Sequence, residues 1–368
     1  MGMAGRVVLF GATGFTGELT ARALVARGAR PLLVGRSAGR LRALAAQLGD
    51  LDSTVVDATA PDAAAALAVL AGPGDVLVCT VGPFMRWGEP GLLAAIASGA
   101  HYIDSTGEPP FIRSVFERHG SAAEKAGCGL LTALGYDYVP GNLAGALALR
   151  AAGARAVSVD VGYFVSGGTG GQASGGTRAS AVGMLAEPGY AFRGGRLVTE
   201  RAARRVREID GRPAISIGAT EQFALPRVHP GLRDVGVWLG WFGPASRPLQ
   251  ALSAATALAT RLPGVRGAIG ASGGRLVPGS TGGPDAATRT RARSRIVAVA
   301  ADASGSPLAT VRLQGRNPYD FTAAMLAWGA LRAAEGGLLA SGALGPVDGF
   351  GLGALEAGVV EAGIARAQ

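Results

Sequence analysis

Apolar residues along the first part of the chain gather in short runs that alternate with longer, helix-like stretches. The runs Val7–Phe10, Pro31–Gly35, Thr54–Asp57, Asp75–Thr80, His101–Ser105 and Gly129–Leu134 read as strands. Helical stretches lie between them at Thr16–Arg27, Leu41–Leu48, Asp62–Leu70 and Gly91–Ser98, followed by a longer one from Pro110 to about Lys125. Strand and helix in strict alternation predict an α/β fold with a doubly wound parallel sheet covered on both faces. A helix from Pro140 to Ala151, with proline in its first turn, closes this part. The rhythm then changes. Strand-like runs at Ala156–Val165, Gly236–Trp241, Arg291–Ala300 and Leu308–Gly315 come with fewer crossovers, and helices are expected at Thr177–Leu185, Leu249–Leu262 and Phe321–Glu335. That succession predicts a second, α+β domain built on a mostly antiparallel sheet.

Between the first strand and the first helix stands Gly11-Ala12-Thr13-Gly14-Phe15-Thr16-Gly17. Glycines at this turn allow a tight bend and close approach of a pyrophosphate, which the free N–H groups of the helix start would hold. With sixty glycines in the chain the spacing alone says little. Its place in a strand–turn–helix unit makes it a dinucleotide-binding, Rossmann-type turn. No acidic residue occurs from Leu19 to Gly49, so the carboxylate that usually accepts from an NAD ribose is missing at the end of the second strand. Arg36, Ser37 and Arg40 stand there instead, and a guanidinium pair suits a 2′-phosphate. The expected cofactor is NADP(H). Asp57 and Ala58 close the third strand near the adenine edge, although an aspartate there is also an ordinary turn residue. Val81-Gly82-Pro83-Phe84 and Thr106-Gly107-Glu108 follow the fourth and fifth strands, on the edge where the nicotinamide half would lie.

Composition narrows the chemistry. The formal charge of +9 is carried almost wholly by arginines scattered along the chain, which reads as compositional bias and not as a nucleic-acid surface. Cys79 and Cys128 lie in apolar runs, and His101, His119 and His229 are far apart, so neither a disulfide nor a metal site is expected. No run is long and apolar enough to span a membrane, and a cytoplasmic protein is expected. Lys125 is the only lysine and Ser121 stands four residues before it, which excludes the Tyr-x-x-x-Lys pair of short-chain reductases.

The strings GATGFTG, GRS, VGPF, YIDSTGE and GYDYVPGNLAG, in this order and spacing, resemble the saccharopine dehydrogenase-like oxidoreductases. SGGTRAS at Ser174–Ser180 and NPYDFTAAML at Asn317–Leu326 extend the likeness, which is nearest to the trans-acting enoyl reductase branch. Tyr138 departs from the family, which more often carries serine there. The resemblance implies an NADP-binding unit over residues 1–140, completed by about 318–368, and a substrate domain over 141–317.

It also implies an oxidoreductase that uses NADPH to reduce a C=C bond conjugated to a carbonyl. Reduction of a C=N bond is the alternative, and a non-catalytic NADP(H)-binding sensor or scaffold is a third. Tyr136, Asp137 and Tyr163 are the candidate proton-handling groups, with Asp137 equally suited to capping the helix that follows. Thr177 and Ser180, at a glycine turn feeding a helix, are candidates to polarise a substrate carbonyl, a reading to which the resemblance adds weight over a plain N-cap. The expected partners are an apolar substrate, free or carrier-bound, an acidic carrier protein, and a second copy of the chain. Arg289, Arg291, Arg293 and Arg295 alternate along one expected strand. They would form one face, either solvated or used to dock an acidic carrier or a phosphate-bearing thioester.

Overall fold

The computed structural model describes residues 5–167, 187–259 and 282–367. Its first sheet carries β1 (Val7–Phe10), β2 (Leu32–Gly35), β3 (Ser53–Val55), β4 (Val76–Cys79), β5 (His101–Asp104) and β6 (Gly129–Leu131). All neighbours in it pair in parallel. β1, β2, β4 and β6 are buried along their whole length, as continuous apolar strands covered on both faces should be. The strand order, 3-2-1-4-5-6 from one side, reverses between β1 and β4, and such a switch point opens a crevice at the carboxyl edge.

The second sheet begins with β7 (Ser158–Ser166) and continues through two hairpins, β8 (Pro188–Arg193) with β9 (Arg196–Arg201) and β10 (Val206–Ile209) with β11 (Arg212–Ser216). β12 (Asp234–Leu239), β13 (Arg293–Ala301) and β14 (Pro307–Gly315) complete its centre. Only the β7–β12 pair is parallel among the described strands of this sheet, so it is mostly antiparallel. The chain then re-enters the first unit. Helix Pro318–Ala334 packs on helix Phe15–Ala26 and on β4 and β5, and β15 (Gly342–Ala343) extends the first sheet beside β6. A last strand, β16 (Ile364–Arg366), returns to pair with β14.

Helix Val139–Ala152 joins the two layers. It is buried from Val139 to Leu149 and lies against β7, β13 and β14, and a helix apolar on every side belongs in an interior. One hydrophobic cluster therefore runs from Leu9 and Ile103 through Leu143 and Leu147 to Val161 and Ile296, without a break between the sheets. Among the described residues no helix is long and apolar enough to cross a membrane.

Three local expectations need correction. The stretch from Pro110 to Lys125 is three pieces, Pro109–Ser114, a π-helical turn Val115–His119, and Gly120–Lys125. Arg289 and Arg291 sit on a short helix, Ala286–Arg291, and not on the strand, because Asp285 caps it by accepting from the Thr288 amide at 2.7 Å. The third correction is an addition: the apolar pattern gives no sign of the four hairpin strands β8–β11 or of helix Glu221–Val228.

Candidate active site

The opening turn is built by three glycines with different duties. Gly11 has φ +90°, and a Cβ there would lie 2.7 Å from Thr80 Oγ1, so both conformation and space demand glycine. Gly17 faces the Gly11 carbonyl so closely that a Cβ would fall 2.1 Å from its oxygen, which lets the helix pack on the strand. Gly14, the N-cap of helix Phe15–Ala26, would meet only the Gly11 oxygen at 3.3 Å and is otherwise open. Beyond that open side are the first-turn amides of Phe15, Thr16 and Gly17, which have no partner inside the helix. The turn is thus shaped to receive an anion against a helix start.

At the end of β2, Arg36 and Arg40 are exposed, and Ser37 is the N-cap of the next helix without using its hydroxyl as a cap. Arg40 donates to the Thr13 carbonyl, which ties it to the glycine turn. Asp57 accepts from the Thr59 amide at 2.9 Å and hydroxyl at 3.0 Å. These bonds, with a smaller contribution from the Arg36 charge, hold its carboxyl below the usual range. Asp57 is a turn former beside Arg36, and Ala58 packs on the core below it. Among the described residues neither Arg36 nor Arg40 has a carboxylate in ion-pair distance, which leaves both guanidiniums available to a phosphate.

Loops after β4, β5 and β6 are fastened together by two acids. Glu108 takes the Phe84 amide at 2.8 Å and the Met85 amide at 3.0 Å, one on each carboxylate oxygen. Its own amide donates to Thr106 Oγ1, and the Thr106 amide donates to Asp104. Asp104 also accepts from the Thr132 hydroxyl and the Ala133 amide at 2.8 Å each, so it ties β5 to β6. Complete burial pushes its carboxyl up to about 6 against the pull of those bonds. Val81, Gly82 and Pro83 are half-buried at the edge, whereas Phe84 turns into the core against Phe111 at 5.5 Å.

Asp137 occupies the seam between the two sheets. Its Oδ1 is buried without a hydrogen-bond partner, and burial pushes the carboxyl up to about 7. It does not cap the following helix, whose N-cap is Tyr138 with no side-chain bond. A Cβ on Gly107 would stand 2.9 Å from Asp137 Oδ2, so the glycine makes room for the carboxyl beside the loop that follows β5. Tyr136 next to it is buried, donates to the Phe164 carbonyl at 3.2 Å and stacks on Trp241 with centroids 6.5 Å apart. Burial raises its phenol above the ordinary value.

Behind them Tyr163 lies fully buried, 2.6 Å from Glu221 Oε1 and 3.0 Å from the Tyr138 carbonyl. A phenol has one proton and faces two acceptors here. Both contacts are satisfied when a protonated Glu221 donates to Tyr163 and Tyr163 donates to the carbonyl. Burial, which pushes Glu221 up to about 8, favours that state. Gly141 is required beneath the pair, since a Cβ would sit 1.9 Å from the Tyr163 oxygen. Glu221 was missed in the sequence: Thr220-Glu221-Gln222 is a polar run that reads as surface, and only the tertiary fold buries it. Thr177 and Ser180 lie outside the described residues. Among the described residues no group of three or more His, Cys, Asp or Glu could hold a metal ion.

Residues 7–130 match the family model of the saccharopine dehydrogenase NADP binding domain. The N-terminal unit belongs to that family of domains. This NADP-binding domain contains the glycine turn, Arg36, Arg40, Asp57 and Glu108 described above. Similarity to full proteins follows the same boundary. The chain is 41% identical over 143 residues to a trans-acting enoyl reductase of Mycobacterium leprae (strain TN), a match covering 37% of this chain and 34% of the relative. It is 40% identical over 143 residues to a trans-acting enoyl reductase of Mycobacterium ulcerans (strain Agy99), with the same coverage. Those matches span about a third of the relatives' length.

The fold likeness reaches further than the sequence likeness. Apo saccharopine dehydrogenase (L-Glu forming) from Saccharomyces cerevisiae superposes with a TM-score of 0.51 at 14% identity, covering 93% of this chain and 94% of that one. At that identity it shows a shared two-domain fold and no more. The cofactor of the NADP-binding domain is NADP(H), and the open Gly14 side with the two unpaired arginines fits a dinucleotide bearing an extra phosphate. In that setting Tyr136 and Asp137, which follow β6, are brought to the edge of the domain, and Tyr163 on β7 and Glu221 at the start of helix Glu221–Val228 reach them from the second unit.

Proposed function

We propose that this chain is an NADPH-dependent oxidoreductase that reduces a C=C bond conjugated to a carbonyl, with Asp137 as the proton-bearing group. The observation that carries the proposal is the Asp137 carboxyl: unpartnered at Oδ1, pushed up to about 7, and seated against Gly107 on the carboxyl edge of the NADP-binding domain. A carboxyl tuned near neutrality can hold its proton until charge develops on a substrate. The cofactor supplies the hydride when bound. In this reading the amides at the start of helix Phe15–Ala26 and the Arg36–Arg40 pair hold its phosphates. The loops tied by Glu108 fix the edge that would receive its reactive ring.

Hydride addition at the carbon β to the carbonyl would leave an enolate, and Asp137 would give its own proton to the α carbon. Tyr163 and Glu221 position Tyr138, and with it the loop carrying Asp137. Trp241, 38% exposed and stacked on Tyr136, gives the site an apolar wall, so the substrate is taken to be apolar, free or carrier-bound. Thr177 and Ser180 belong to the proposal as carbonyl-polarising groups on the strength of the sequence motif alone.

The test is stoichiometric NADPH consumption with a panel of α,β-unsaturated thioesters and ketones alongside cyclic imines, with products identified by mass. Saturated acyl products support the proposal. Turnover of imines alone would replace it with C=N reduction, and tight NADPH binding without any turnover would favour a sensor or scaffold.

A further inference from the structure

Where β13 and β14 meet the start of helix Pro318–Ala334, an open pocket of about 930 Å³ is lined by Arg212, Arg289, Arg293, Arg295 and Arg316, with Asp320 as its single carboxylate. Asp320 is taken by Arg289 at 2.8 Å, and Arg295 pairs with Asp210 outside the lining. Arg212, Arg293 and Arg316 have no carboxylate in ion-pair distance among the described residues. Residues 1–4, 168–186, 260–281 and 368 contain no Asp or Glu, so no acid of this chain outside the described residues neutralises them. Ser294 on the floor is 1% exposed, and its hydroxyl faces the Tyr136 phenol. Arg293 gives one nitrogen to the Thr290 and Ala292 carbonyls, at 2.6 and 3.0 Å; three guanidiniums without a carboxylate partner around one concavity suit an anion that accepts several hydrogen bonds.

The pocket adjoins the site on two sides. Phe164 lines it and offers its carbonyl to Tyr136, the neighbour of Asp137. Arg289 lies over the Phe15 ring, 5.8 Å from its centroid, next to the glycine turn. The cofactor's own phosphates fall to other elements, the start of helix Phe15–Ala26 and the end of β2. We propose that this pocket binds the phosphate-bearing end of the substrate, whose apolar remainder extends past Phe164 toward Tyr136 and Asp137. The arginine forks hold the phosphate oxygens in pairs, and the volume is that of a small-molecule site. Calling the ligand the substrate rests on the proposed reductase reading; the existence of a phosphate pocket does not.

The experiment is calorimetric titration of the NADP⁺-saturated protein with inorganic phosphate and, separately, with hexyl phosphate. A single saturable site is expected, tighter for hexyl phosphate, and weakened about ten-fold or more in the double variant R293A/R316A with NADPH affinity unchanged. Both arginines are exposed, so the variant should fold, and its far-UV dichroism and melting temperature check that. The proposal is overturned by absence of saturation, by equal binding in the double variant, or by hexyl phosphate binding no tighter than inorganic phosphate. Loss of the site on saturation with cofactor, when the same titration of the cofactor-free protein saturates, would assign the pocket to the dinucleotide. No turnover is needed, so a protein without reductase activity can still pass, and failure here leaves the reductase test intact.

Discussion

In the proposed reading, single side chains decide the cofactor and the proton. Arg36 stands at the end of β2 where an acid would select NAD, and its charge reaches Asp57 across the turn. Replacing it with alanine should weaken NADPH binding by about 1–3 kcal/mol and leave NADH binding nearly unchanged, because only a 2′-phosphate loses a charge-assisted contact. Fluorescence titration with both nucleotides checks this; equal losses would contradict it. Asp137 gives a second expectation at this scale. Burial pushes its carboxyl up to about 7 from the ordinary 3.8, so between those values the folded state keeps a proton that the unfolded state has lost. Stability must therefore fall as pH rises through that window. Asp137→Asn removes the penalty, and its gain over the parent should be small near pH 4 and grow to on the order of 1–3 kcal/mol by pH 8. Denaturant melts at the two pH values measure the difference.

At the scale of elements, legibility followed burial. Strands β1, β2 and β4 are apolar runs buried along their whole length, so pattern alone locates them within a residue, whereas the exposed β3 and the short β15 carry no such signal. The hairpins β8–β9 and β10–β11 mix buried and exposed positions irregularly, and their strands gave no clean alternation. Their turns did carry a signal. Asp210-Gly211, with φ of 53° and 73°, is the kind of two-residue hairpin loop that an Asp-Gly pair announces. The arginines from 289 to 295 show the opposite error, a period of two that looked like one strand but was cut by the Asp285 cap. Candidate site residues from the cofactor turn were legible because their spacing is local. Glu221 was not, since its meaning depends on Tyr163, 58 positions away in sequence. The loop tie through Glu108 yields a prediction of its own. Glu108→Gln leaves one acceptor oxygen for two buried amides, so it should cost about 1–3 kcal/mol of stability and weaken NADPH binding together, as read by melting and titration. Loss of one without the other would show that the tie does not shape the edge.

Across the whole molecule the two sheets share one hydrophobic cluster, with helix Val139–Ala152 buried between them. Domains joined in this way should melt together, and scanning calorimetry should show a single cooperative transition. Two resolved transitions would mean that the seam is weaker than its packing indicates. The same seam is where the proposed chemistry would occur, because it brings Asp137 against Tyr136, Tyr163 and Glu221 in an environment poor in water. A rigid seam suits a reaction that needs a hydride and a proton delivered to neighbouring carbons in fixed geometry.

The central claim is that Asp137 supplies the proton in an NADPH-dependent reduction, and the most direct measurement is the pH dependence of kcat for the parent and for Asp137→Asn on an α,β-unsaturated substrate, followed by NADPH absorbance. The parent should hold its rate below about pH 7 and lose it above as the carboxyl gives up its proton. The asparagine variant should turn over about 100-fold or more slowly, with that inflection gone and NADPH affinity kept. A variant that retains the parent's rate and the same pH profile would contradict the account.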